Sequence, residues 1–346
     1  MIDLINNKIK LALIIILFSI SYILIFPELY LGNGNDNLLW SRFFSLGNYF
    51  IYDEVYQIYV YPIYHTTLYI HVISWIESLF GFNVYLIKFF VLSIKLVTVI
   101  FIWFLYFKKE LYKTFLLVFL WASIPIIFFG EHYFEVDGHV SYFVILLFFY
   151  SYNLKNNIKN NFIKILLIIL CFYLKETILV ILIISLLINS LFFKKEIINN
   201  VYLISISSGL IVTSTVLYCY LLKIPINILY DWTIYRFDFL IPSIVLDESL
   251  KNTSFTQVIF DQFKSFLIAS KGFLKFGYIN VYILIIYFMY VYRNDFFKNK
   301  SFNFAFILFG VSAIVVFVTG SYSPRYQVAF LLPILIVIFS KLEKNK

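Results

Sequence analysis

The sequence predicts an all-α polytopic membrane protein, a bundle of about ten transmembrane helices with two long extracytoplasmic loops that carry interfacial helices. Three observations point there. Of 346 residues, 62% are hydrophobic and only 13% charged, with a mean hydropathy of +0.90, whereas a soluble domain is nearer half apolar and a quarter charged. About ten runs approach the roughly 20 apolar residues that cross a bilayer. The short connections between alternate runs are rich in Lys, as in Lys108-Lys109-Glu110 and Lys194-Lys195-Glu196, which marks one side as cytoplasmic. Soluble, disordered and disulfide-framework classes are excluded. Cys171 and Cys219 lie inside apolar runs and read as packing residues rather than a redox or metal pair. The net charge of +8 has no basic patch in a soluble region to offer a nucleic acid; it is cytoplasmic anchoring.

Residues 1–346 read as a single integral membrane domain. The first run, Leu11 to Phe26, follows Lys8 and Lys10 and lacks a small-residue cleavage site, so it reads as an uncleaved first helix. Further spans are expected at 84–106, 114–130, 139–153, 163–174, 177–193, 200–222, 277–292, 302–319 and 326–340. The short pair around Lys175-Glu176 is either a tight hairpin or one long interrupted helix; ten spans with both termini cytoplasmic require the hairpin. Two connections are long, 27–83 and 223–276, and both fall outside. Within the first, Leu68 to Ile76 is amphipathic and should form an interfacial helix with aromatic anchors.

Chemistry is expected on the acid-rich outer face. Tyr52-Asp53-Glu54-Val55-Tyr56 sets two adjacent carboxylates between aromatic residues near a membrane surface, where partial burial raises basicity; the plainer reading is a solvated acidic turn. A second outer loop, Glu131-His132-Tyr133-Phe134-Glu135-Val136-Asp137-Gly138-His139, is also acidic. Glu131 and Asp137 there suit sugar hydroxyls, or simply cap the following helix at its N-terminus. His132, Glu135 and His139 straddle a loop rather than share a helix, which disfavours a metal site. The sequence has four arginines, Arg42, Arg236, Arg293 and Arg325, among 27 basic residues. Three of them fall outside, where orientation does not need them and where a planar fork suits phosphate; snorkelling to headgroups is the alternative. Lys88 and Lys95, inside the second span, face the bundle interior or snorkel.

The order of these pieces carries a resemblance. Asp53-Glu54 in the first outer loop, then Tyr61-Pro62-Ile63-Tyr64-His65, then Phe80-Gly81-Phe82 before the second span, then the acidic loop, Lys175-Glu176-Thr177 and finally Ser323-Pro324-Arg325-Tyr326 resemble the GT-C superfamily of membrane glycosyltransferases. The nearest branch is the polyprenyl-phosphate-sugar-dependent, family 39-like group of protein O-mannosyltransferases and aminoarabinose transferases. Tyr61-Pro62-Ile63 stands where that group has a His-Pro-Pro element, and there is no Trp-Trp-Asp-Tyr-Gly block of the oligosaccharyltransferases.

The resemblance implies an enzyme of the plasma (inner) membrane that moves a sugar, with inversion, from a polyprenyl-phosphate donor to a hydroxyl of a lipid, glycan or protein acceptor on the extracytoplasmic face. No cofactor, metal or nucleic acid is expected, and membrane lipids are its surroundings. Such transfer needs a base for the acceptor proton and positive charge for the departing phosphate. Asp53 or Glu54 serves as base, Lys175 and Arg325 as cations, with Glu131, Asp137, Glu176 and Tyr326 completing the substrate site. An outward-facing polysaccharide polymerase or ligase is the nearest rival. A transporter or flippase of lipid-linked sugars is the other, and its one supporting feature is the broken helix around Lys175.

Overall fold

The computed structural model describes residues 42, 44–47, 51–53, 58–60, 67–107, 110–123, 139–225, 227, 278–296, 298–318 and 325–341. The expected first span, the acidic loop 131–138 and nearly all of 223–276 lie outside the described residues.

The protein is mostly helical. A small antiparallel hairpin comes first, β1 (Ile51–Asp53) with β2 (Ile58–Val60), in register Ile51 opposite Val60 and Asp53 opposite Ile58. It was not expected in an all-α chain, yet its strands are β-branched and aromatic, the residue types that suit a pleated surface. Ten helices follow: α1 (Thr67–Phe80), α2 (Val84–Phe101), α3 (Leu111–Ser123), α4 (His139–Tyr152), α5 (Ile158–Leu174), α6 (Glu176–Phe192), α7 (Ile197–Leu221), α8 (Tyr278–Val291), α9 (Lys300–Val318) and α10 (Arg325–Lys341). A π-helical turn, Ile102–Tyr106, extends α2.

Local chemistry sets the boundaries. Gly81 takes the left-handed conformation (φ +73°) that ends α1 without a Cβ clash. Asn83 then caps α2, its Oδ1 accepting from the amides of Tyr85 (2.9 Å) and Leu86 (3.4 Å). Asn157 does the same for α5 through the Asn160 amide at 2.8 Å. That cap starts α5 five residues before the apolar run at 163, so Lys164 falls inside the helix and is fully buried.

Helices α4, α5, α6, α9 and α10 close a ring, each packed on the next and α10 back on α4. Around it, α2 lies on α4, α1 on α5, α3 on α10, and α7 across α5 and α6. Helix α4 is buried nearly all round, from Ser141 and Tyr142 to Ser151 and Tyr152. The buried run Phe330 to Phe339 of α10 is similar. Their apolar residues show no single stripe because they have no solvent face.

Helix α7 is patterned inside out. Its buried stripe is Asn200, Leu203, Ser207, Ile211, Thr215 and Cys219, mostly small or polar, while Ile198, Val201, Ile206, Leu210, Val212, Val216 and Leu217 are exposed. Its 25 residues extend about 37 Å at 1.5 Å per residue. Among the described residues, the stretch Lys194–Leu221 is the one helix long and apolar enough to cross a membrane by length and composition, and several shorter apolar helices accompany it.

Candidate functional site at the outer end of the bundle

Polar contacts sort the helix ends into two groups. At one end Glu196 accepts from Lys300 Nζ (2.9 Å) and Asn156 Nδ2 (3.3 Å), Asn161 Nδ2 donates to Asn199 Oδ1 (2.9 Å), and Ser301 Oγ donates to Asn153 Oδ1 (2.6 Å). The connections 154–162, 194–199 and 293–301, all expected to be cytoplasmic, therefore meet. Beneath them Tyr152 accepts from Asn189 Nδ2 (2.8 Å) and Asn200 Nδ2 (3.2 Å), with Lys300 Nζ 4.2 Å from its ring centre. Lys164 Nζ donates to Asn156 Oδ1 at 2.7 Å. A fully buried ammonium with a hydrogen-bonded acceptor and a neighbouring carboxylate is the form in which such a charge is tolerated.

The opposite end holds the candidate site. The beginnings of α5 and α7 meet through Asn161 and Asn199 at the first end, and Tyr173, near the end of α5, reaches Ser214 at 2.6 Å and Thr215 at 3.4 Å on α7, so α5 and α7 run parallel. Helix α6 returns between them in sequence and packs on both; α5 and α6 are therefore an antiparallel hairpin, not an interrupted helix. Its apex is one extended residue, Lys175 (φ −166°, ψ 130°), whose amide closes α5 on Cys171 O at 2.9 Å. Lys175 is buried, 8% exposed, and Glu176 opens α6, where a carboxylate meets the positive end of the helix. The two expected site residues at this junction thus stand at the outer apex.

Arg325 and Tyr326 begin α10. Since α9 starts among the first-end residues and packs on α10 after a short connection, the N-terminus of α10 lies at the same end as Lys175; the side chains of Arg325 and Tyr326 lie outside the described residues. Asp53 ends β1 opposite Ile58, which makes it the last paired residue before the 54–57 connection. Its side chain, together with Glu54, Glu131 and Asp137, lies outside the described residues.

Helix α1 also belongs to this end. His71 hydrogen-bonds the hydroxyl of Tyr218, near the end of α7, and stacks at 4.7 Å on Phe44. Burial holds the His71 imidazole below its ordinary pKa. Tyr69, Ile70 and Ile73 are buried, so the expected interfacial helix is also a packed one. One residue escaped the sequence reading: Glu77 shares the inward stripe of Ile70, Ile73 and Ser74, and the signal was available as a carboxylate four residues after Ile73 in an amphipathic period. Lys95 of α2 is buried at 3% exposure, so it takes the interior alternative rather than snorkelling. Among the described residues no three His, Cys, Asp or Glu side chains are grouped to hold a metal, and both cysteines are buried free thiols. No family model, no curated protein and no solved structure matches the chain.

Proposed function

We propose that the chain is a multi-pass integral protein of the plasma membrane, and a glycosyltransferase that works on its outer face with a polyprenyl-phosphate sugar as donor. The membrane part rests on α7, whose stripe of Ser207, Thr215 and Cys219 packs inward while its large apolar side chains face out. In water that surface would be an aggregation patch; in lipid, close packing through small residues is how helices associate. The ten-span reading gains support from the meeting of the cytoplasmic connections at one end.

The transferase part rests on the cationic outer apex. Lys175 is a buried ammonium at a hairpin tip, at the end of the bundle where α10 begins with Arg325. In the proposed reaction Asp53, or Glu54 beside it, takes the acceptor hydroxyl proton as its oxygen bonds to the anomeric carbon. The bond from that carbon to the phosphate oxygen breaks on the opposite face, inverting the centre. The departing polyprenyl phosphate gains negative charge, which Lys175 and Arg325 stabilise more in the transition state than in the ground state. Glu131, Asp137, Glu176 and Tyr326 hold the sugar. A closed α5–α6 hairpin supports this reading over a transporter, for which a helix broken near mid-membrane would be the natural device. The test is purified protein in lipid with radiolabelled polyprenyl-phosphate sugars: turnover to released polyprenyl phosphate is expected, and its absence with every donor of a broad panel would reject the proposal.

A further inference from the structure

Glu77 of α1 is the most conspicuous polar group that the proposed reaction leaves unused. Its side chain is 9% exposed, Oε1 lies 3.8 Å from Nη1 of Arg42, and among the described residues Oε2 is enclosed without a hydrogen-bond partner. At 3.8 Å the pair is a loose ion contact and not a hydrogen bond. Arg42 is itself 59% exposed on its side chain and sits 5.7 Å from the centre of the Phe82 ring, which is half exposed. A buried carboxylate oxygen with no donor is costly, because its lost hydration is not replaced. The neighbouring guanidinium has the opposite need, an acceptor, and the aromatic face beside it is open.

We propose that Glu77, Arg42 and Phe82 form a sugar-binding subsite that takes a vicinal diol. A hydroxyl both donates and accepts. One hydroxyl of a diol would donate to Glu77 Oε2 while its neighbour accepts from Arg42, bridging two groups that stand too far apart to satisfy each other, and the apolar C–H face of the ring would lie against Phe82. A carboxylate site of this kind prefers hydroxyls over an anion, and the guanidinium prevents it from taking a simple cation. Helix α1 lies at the outer end of the bundle, on the side of Lys175. The inference rests on the transferase reading only for the source of the sugar, donor or glycan acceptor; the shared chemistry is the diol.

The test uses the full chain in lipid nanodiscs and saturation-transfer NMR with methyl α-D-mannopyranoside, methyl α-D-glucopyranoside and a methyl 2,3-dideoxyglycoside. Saturable binding of at least one diol-bearing glycoside is expected, with the dideoxy compound silent. Glu77→Gln should weaken binding about tenfold or more, the range for losing a charged hydrogen bond, and Arg42→Ala should weaken it several-fold. Arg42 is exposed, so its variant carries the test if Glu77→Gln does not insert. Unchanged binding in both variants, or equal binding of the dideoxy compound, would overturn the subsite. Binding that requires Glu77 in a protein that transfers no sugar would reject the transferase reading and leave the subsite standing. Transfer with full glycoside affinity in Glu77→Gln would do the reverse.

Discussion

Replacing Glu196 by Gln removes the one carboxylate that the described residues place among the ammonium groups of the inner end. Lys300 Nζ stands 2.9 Å from Glu196, and Lys164, fully buried, lies on the same side of Tyr152 with its Nζ 5.8 Å from the ring centre. At 2.9 Å the bare attraction is about 6 kcal/mol in an effective dielectric of 20. Most of this is offset by desolvation of the two ions. The side chains keep 24% and 16% of their exposure, so solvent screens part of the remainder and about 1–3 kcal/mol of coupling is left. Glu196→Gln keeps shape and the Asn156 contact but leaves Lys300 and Lys164 facing each other, and should cost about 2–4 kcal/mol. Lys300→Met in that background should then cost less than in the wild-type protein, because it relieves the repulsion. The assay is a double-mutant cycle by reversible SDS titration in mixed micelles, followed by tryptophan fluorescence. A coupling below about 0.5 kcal/mol, the value of an exposed pair, would refute the view that this pair fastens the inner ends of α6, α7 and α9.

The topology predicts that cysteines placed at Lys109, Asn157 and Lys195 label only from the cytoplasmic side and those at Asn35 and Asn252 only from outside; outside labelling of position 157 would invert the site assignment. Asp53→Asn, which keeps shape and removes basicity, should lower transfer by about 10² to 10⁴ with donor binding intact; near-normal turnover in both Asp53→Asn and Glu54→Gln would remove the pair as base. Arg325→Lys should lose most transfer, since lysine lacks the bidentate fork, and Arg325→Ala more; full activity in the lysine variant would leave only a generic charge, and loss of wild-type activity in EDTA would favour a metal instead. His71 is held neutral by burial against Phe44 and Tyr218, so its folded pKa lies below the unfolded value of about 6.5. The unfolded chain therefore binds the proton first, and stability present above about pH 6.5 should fall as pH drops towards the folded value. His71→Gln should flatten that slope, read by thermal inactivation between pH 5 and 8; an unchanged slope would exclude His71 as its source.

Hydropathy and charge determined where the described helices lie and which loops share a side. The expected spans at 84–106, 139–153, 200–222 and 326–340 agree with α2 and its π-helical extension, α4, α7 and α10 within a few residues, because a run of apolar side chains is a local property that needs no partner. The Lys175-Glu176 junction was legible for the same reason, as a charged interruption between two apolar runs. Its geometry was not: hairpin and interrupted helix have the same sequence pattern, and only the packing of α6 back on α5 and α7 separates them. The β1–β2 pairing, the ring closed by α10 on α4, the burial of Lys164 and the inward turn of Glu77 were likewise decided by tertiary structure. Each depends on which distant surface covers a residue, and a polar side chain is admitted to the interior only when partners such as Asn156, Glu196 or Arg42 arrive from elsewhere in the chain. Local sequence fixes the period of an element, whereas burial of charge is settled by non-local pairing.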